Sequence, residues 1–358
     1  MEKVKKSKKH SFIKGFIIFA GSLLVLAGLV VYIFDPFYHY HAPYFNMKPV
    51  LTMPEYQVMG TIKNFPHDSS IVGSSMAENF DNSDFDKAFG CTSIKLIKTS
   101  GTTGQLLYYL KEDLKRNEIK NIFYSLDVSA LEAEYKEDFP DSSMPLYLYD
   151  DNPFNDVQYL FNKDVICKYI PYMLALSGDP SYNAGKSYSF DSDKSFSAYD
   201  AILHYERPAE VLDSVLESEY KPIVDSNINA LKEVVEANPD TTFYFYIPTY
   251  SSLWWDNAYR MGQIDETYYA IEESAKELTA YDNVEFYCFI DEEEISDNLN
   301  LYMDAVHFSP EINNWIVGQL SSHNKAYILN SDNIESRIEE IKSYGSHEIE
   351  YSSSILDN

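Results

Sequence analysis

Only three cysteines occur in 358 residues, Cys91, Cys167 and Cys288. The number is odd and the spacings are wide, which excludes a disulfide framework and any Cys/His metal pattern. Cys91 and Cys288 fall in or beside strand-like runs and read as buried free thiols. Basic residues are also scarce, 28 Lys and Arg against 56 Asp and Glu. Six Lys against one Glu give residues 1–14 a charge of +5, which leaves −33 for the rest of a chain totalling −28. So acidic a body is repelled by phosphate backbones, and nucleic acid is excluded as a partner. Phosphate-binding glycine loops, dinucleotide fingerprints and internal repeats are missing too. No cofactor and no metal are expected. Tyr, by contrast, is abundant at 31 residues, which core packing explains as readily as stacking on sugars.

Charge is wholly missing from "GFIIFAGSLLVLAGLVVYIF", residues 15–34. Twenty residues at about 1.5 Å each span about 30 Å, the thickness of a bilayer core. Lysines precede the stretch and acidic residues follow it, so the positive-inside rule puts residues 1–14 in the cytoplasm and the body outside. The stretch ends in bulky residues, and Leu29 stands where a lipidated Cys would be, so an uncleaved anchor is expected. Residues 35–68 read as a juxtamembrane segment whose "DPFYHYHAPYF" forms an aromatic belt at the membrane surface. His39 and His41 lack a third ligand for a metal. His67 reads as a surface residue.

The outer part, residues 69–330, carries near-continuous apolar runs at Ser70–Gly73, Ser93–Lys98, Asn121–Leu126, Thr242–Ile247 and Val284–Ile290. Such runs suit strands buried on both faces of a parallel sheet. Helical patterns alternate with them: "GQLLYYLKEDLKRN", "PAEVLDSVLESEYKPIVDSNINALKEVVEANP", "DETYYAIEESAKELTAY" and "SPEINNWIVGQLSSH". In the last, Ser309 is expected to cap and Pro310 to open the helix. The pattern predicts an α/β domain with a central parallel sheet. Residues 135–205, rich in Asp, Ser, Pro and Tyr, interrupt the rhythm as an insertion over the sheet edge, a candidate lid. Residues 331–358 read as a polar tail with one short helix, loosely packed or disordered near its end.

"SSIVGSSMAENF" puts Gly73, Ser74 and Ser75 at the carboxyl end of the first outer strand, where open parallel sheets gather their reactive groups. "YMDAVHFSPE" holds Asp304 and His307 three residues apart, before a helix. That spacing lets Asp304 orient the imidazole and His307 take a serine proton. The Gly-x-Ser motif with a C-terminal Asp-x-x-His pair resembles the SGNH (GDSL-type) hydrolase superfamily. The anchor extends the resemblance to its membrane-anchored members, the family of the D-alanyl-lipoteichoic acid biosynthesis protein D.

The resemblance implies a three-layer, flavodoxin-like fold and the roles of Ser75 as nucleophile, His307 as base and Asp304 as its orienter. It implies an oxyanion hole from the Ser75 and Gly101 N–H groups, with Asn79 as a substitute donor, because Asp127 stands where the superfamily has Asn. "YIPTYSSLWWDNAYRMG" offers Tyr250, Ser251, Trp254 and Trp255 as a substrate platform at the same end of the sheet, with Asp127 nearby; the alternative is a loop plug. The activity implied is serine acyl transfer of acetyl or D-alanyl groups to a cell-surface polysaccharide or teichoic acid. The donor would come from a membrane-bound O-acyltransferase partner; separately, the low cysteine count with Tyr, Asn, Asp and Lys abundant points to the envelope of a Gram-positive bacterium. Two alternatives stand beside it: a surface carbohydrate esterase, and a non-catalytic assembly subunit that keeps the fold.

Overall fold

The computed structural model describes residues 2–137, 139–142 and 144–357, with the backbone alone for residues 2–9. The side chains of the basic residues 3–9 therefore lie outside the described residues. Helix Glu2–Phe34 opens the chain, and its part His10–Phe34 is long and apolar enough to cross a membrane. The helix starts well before the uncharged stretch; its large apolar side chains from Phe12 to Leu29 are mostly exposed, whereas Val31 near its end is buried against the domain.

Six strands form one sheet: β1 Ser69–Gly73, β2 Ser93–Ile97, β3 Asn121–Ser125, β4 Thr242–Ile247, β5 Val284–Cys288 and β6 Ile328–Leu329. Their order is β2-β1-β3-β4-β5-β6. The first five are parallel, with Gly73 beside Ile97 and Val72 beside Tyr124. β6 pairs antiparallel with β5, so the sheet is mixed rather than wholly parallel. Two residues are too short to leave a periodic signal. Helices cover both faces, as the double-sided burial of the central strands requires. Asn82–Phe89 and Pro310–Ser321 pack together on one face. On the other, Pro54–Asn64, Thr103–Arg116, Glu217–Ala237, Ile264–Leu278 and Ile334–Leu356 follow one another. The order 2-1-3 reverses direction between β1 and β3, the position at which open α/β sheets generally bind ligands.

Three expectations are corrected here. Residues 35–68, expected as a juxtamembrane segment separate from the domain that starts at 69, pack into that domain: Phe37 and Tyr38 are buried, and the Tyr38 hydroxyl donates to the Val50 carbonyl. That leaves Tyr44 and Phe45 as the exposed aromatics of the expected belt. The tail is a packed 23-residue helix, Ile334–Leu356. His67 is fully buried, not superficial. Its Nε2 meets Asp113 at 2.8 Å and its Nδ1 the Phe65 carbonyl at 2.7 Å. Asp113 also accepts from the Ser70 hydroxyl and the Asn117 amide.

Burial opposes charge on His67, but the hydrogen bond and charge of Asp113 outweigh it and raise the imidazole above its usual value. The pair's stabilisation is therefore complete below the unfolded value of about 6.5 and is lost as pH rises through the higher folded value. We expect His67→Gln to lower the thermal midpoint most at pH 6, with the gap to wild type closing toward pH 9. Midpoints measured across that range check it; a constant gap would mean that no charged pair exists.

Candidate active site

Strand β1 ends in a turn that only a residue without Cβ fits. A Cβ on Gly73 would stand 2.7 Å from that of Ala77 and 3.0 Å from that of Ser125. The backbone therefore folds tightly from strand into the short helix Ser75–Glu78. Ser74 is its N-cap, buried, and donates its hydroxyl to Asp127 at the end of β3. Ser75 is the first helical residue and stays partly accessible among buried neighbours. The two adjacent hydroxyls thus divide: Ser74 crosses the switch point to hold β3, and Ser75 faces outward.

Asp304 and His307 lie on the loop between β5 and helix Pro310–Ser321. A bridge between Tyr302 and Phe308 closes its neck, and Met303 N–H donates to the His307 carbonyl at 3.1 Å. The Ser251 hydroxyl holds the loop's crown through the Ala305 carbonyl at 2.7 Å. Inside the turn, one oxygen of Asp304 accepts the Val306 and His307 N–H groups, each at 2.8 Å. The other meets His307 Nδ1 at 2.7 Å, and His307 Nε2 meets the Ser75 hydroxyl at 2.8 Å. Burial raises the Asp304 carboxyl, but the His307 contacts and the two backbone donors bring it below its ordinary range. The proton on Nδ1 is assigned from this geometry, with Nε2 left to accept from Ser75. Ser75 and His307, 232 positions apart in sequence, thus join Asp304 in one hydrogen-bonded chain.

The other expected site residues fare differently. Gly101 gives its N–H to the Lys98 carbonyl at 2.8 Å, closing a turn, so it is not a free oxyanion donor. Ser75 N–H makes no hydrogen bond among the described residues. Asn79 accepts the Phe190 N–H at 3.0 Å and the Ser189 hydroxyl at 3.1 Å on its oxygen, which leaves the amide nitrogen to donate. Asp127 is buried beneath the site rather than open to substrate. Burial pushes its carboxyl up, against the hydroxyls of Ser74 and Ser125.

The expected loop, whether a platform or a plug packed on the insertion, is a helix placed elsewhere. "SSLWWDNAYR" is a helix, Ser252–Arg260, laid against the C-terminal helix. Tyr250, Ser251 and Trp255 are buried; Trp255 packs on Tyr268 and Tyr344. Half-exposed Trp254 stacks on Tyr250 at 4.3 Å, and none of the four lines the openings beside the triad. Arg207, just past the insertion, locks this helix with a two-pronged bond to Asp256 at 2.9 and 3.0 Å.

Two openings flank the triad. A cleft of about 560 Å³ runs from Asp193, Lys194, Ser195, Asp200 and His204 to the loop 303–307. A narrow crevice holds Ser75, Met76, Asn79, Phe190, His307, Phe308 and Asn313. Sequence reasoning missed Phe190, whose ring meets the His307 imidazole edge-on at 5.6 Å. Asn313 was missed too: it is 1% exposed, and neither of its amide atoms has a partner among the described residues. No motif marks it. Lys95 did leave a signal, a lysine inside the apolar run "SIKLI". Its buried ammonium joins the Glu78 carbonyl, at the end of the Ser75 helix, to Ser187 of the insertion, both at 2.7 Å. Burial pushes it down to about 7. Ser309 occupies the N-cap position as expected, but its hydroxyl makes no capping bond. Apart from the triad, Glu293, Asp297 and His347 bring potential metal-ligand atoms within 4.8 Å of one another, Glu293 and His347 being exposed.

No known family model matches the chain, and no curated protein is similar to it.

Proposed function

We propose that the chain is a membrane-anchored serine acyl-transfer enzyme of SGNH type, working outside the cytoplasmic membrane of a Gram-positive cell. The observation that carries this reading is the hydrogen-bonded chain Ser75–His307–Asp304 at the switch point of a doubly wound sheet.

The chemistry follows from the geometry. The Ser75 oxygen attacks an acyl carbonyl as its proton passes to His307 Nε2, and Asp304 stabilises the imidazolium. Ser75 N–H is the backbone donor for the oxyanion. A buried amide without partners is costly, so the Asn313 side chain, lining the same crevice, is a second donor waiting for an acyl oxygen, with Asn79 beside it. Collapse of the intermediate breaks the bond to the leaving group, which takes the proton from His307. An acceptor hydroxyl then attacks the acyl ester on Ser75 as His307 removes its proton; collapse breaks the bond to the Ser75 oxygen, which takes that proton back from His307 and leaves the acyl group on the acceptor. Asp127 need not repel the oxyanion, since it is held under the turn by two hydroxyls.

The acyl group is acetyl or D-alanyl, and the acceptor a polysaccharide or teichoic acid. Asp193 and Asp200 in the cleft suit hydroxyl-rich chains and an acyl group bearing an ammonium. A protein fixed by its own apolar helix suits a substrate made at that surface, with a membrane-bound O-acyltransferase as donor. Water in place of the acceptor would make the same site an esterase.

The test is labelling of the detergent-solubilised full chain by a fluorophosphonate, beside Ser75→Ala and Asn313→Ala. Labelling of wild type, its loss in Ser75→Ala and a slower rate in Asn313→Ala are expected. A folded wild type that takes no label would leave the non-catalytic assembly subunit as the better account.

A further inference from the structure

The insertion carries a feature that the catalytic reading does not use. Helix Val157–Leu160 and a π-turn Val165–Tyr169 that runs into helix Ile170–Gly178 pack against the anchor helix. A Cβ on Gly28 would stand 3.7 Å from the Phe161 ring. Gly28 lies six residues before the anchor's end at Phe34, about 9 Å along the helix axis. Phe161 therefore reaches alongside the apolar span rather than stopping above it.

The same segment exposes large apolar side chains that a water-facing surface does not favour. Phe154 is 87% exposed, Val157 53%, Tyr172 47%, Phe161 45% and Leu174 42%. Tyr44 and Phe45, in the turn after the anchor, are exposed as well. In Val165–Gly178 the only charge is Lys168. Ile170 and Met173 point into the domain, while Pro171, Tyr172, Leu174 and Ala175 point out. A surface helix in water is apolar on one face only, and one apolar on all sides has an apolar medium on both. Fourteen residues are too few to cross a bilayer and suit an interfacial segment. Lys163 and Lys168 are exposed on this segment, with stems long enough to lift their charges to the headgroups; Asp164, also exposed, must stay on the water side.

We propose that residues 154–176 are a second membrane-binding element, an interfacial helical segment seated in the lipid leaflet beside the anchor. The occupant is the bilayer in which the anchor stands. With two contacts to the membrane the domain cannot pivot freely on its anchor, so the catalytic cleft keeps a fixed attitude to the surface. The proposal rests on the anchor spanning the bilayer and is independent of the acyl-transfer reading.

The test uses the full chain in lipid nanodiscs, with Cys91→Ser, Cys167→Ser and Cys288→Ala removing the native thiols. Single nitroxide labels go on Phe154→Cys and Leu174→Cys, on Leu24→Cys within the anchor, and on Ser346→Cys of the C-terminal helix. The readout is the ratio of collision rates with oxygen and with a water-soluble nickel chelate. Labels at 154 and 174 are expected to show a ratio severalfold above that at 346 and on the side of that at 24. Water-like ratios at 154 and 174 with a lipid-like ratio at 24 would overturn the proposal and assign this face to a protein partner. A water-like ratio at 24 would overturn the anchor and the proposal together.

Discussion

Asp304→Asn is expected to slow acylation of Ser75 by about 10³–10⁴-fold while leaving the thermal midpoint nearly unchanged. The amide oxygen can still accept the N–H groups of Val306 and His307, so the turn survives. The other arm of the side chain is what changes. A carboxylate oxygen accepts the proton of His307 Nδ1 at 2.7 Å, whereas an amide NH₂ donates toward it. The imidazole then carries its proton on Nε2, facing Ser75, and has no lone pair there to receive the serine proton. On the proposed mechanism His307→Ala removes the group that accepts the Ser75 proton and should cost a similar factor. The double variant should be little worse than either alone, because the two residues act as one unit. The rate constant for fluorophosphonate labelling measures each. An Asp304→Asn chain labelled within tenfold of the wild-type rate would show that Asp304 merely shapes the loop.

Much of this site was legible because its determinants are local. Gly73-Ser74-Ser75 follows an apolar run, and Asp304 and His307 fit within one turn, so each half could be recognised without the other. The parallel-sheet rule then put them at one edge, since β1 and β5 both end there. Gly101 failed because its N–H turns back on Lys98, a bond that no motif encodes. Trp254 and Trp255 failed because their exposure was judged without a covering element, and the cover comes from some ninety residues downstream. That helix was hidden by composition. Its buried seam runs through Ile334, Ile338, Ile341, Gly345, Glu348 and Ser352, at helical spacing throughout. Half of those residues are not apolar, so a hydropathy reading ends the helix near residue 345 and leaves the rest as tail.

That seam makes deletion of residues 331–358 the second severe lesion. Ile334, Ile338 and Ile341 are each no more than 5% exposed, and burying such side chains stabilises by about 1.5–3 kcal/mol apiece. The deletion also uncovers Trp255, now fully buried, and removes Arg337, whose guanidinium bonds Asp291 just beyond β5 at 2.9 Å. Together these approach the whole stability of an ordinary domain, about 5–15 kcal/mol. The truncated chain is expected to lose its cooperative thermal transition, and with it fluorophosphonate labelling, although every triad residue is retained. Gly345→Val is the finer version of the same test. Its Cβ would come 2.6 Å from the Trp255 ring and collide with the Tyr268 hydroxyl, so the helix must lift where it crosses Trp255. Overpacking of this kind costs about 1–3 kcal/mol, a thermal shift of roughly 2–10 °C for a domain of this size. Gly345→Ala should fall between wild type and Gly345→Val, because both carry the clashing Cβ but alanine has nothing beyond it. A truncated chain that melts like wild type would mean the helix only rests on the domain.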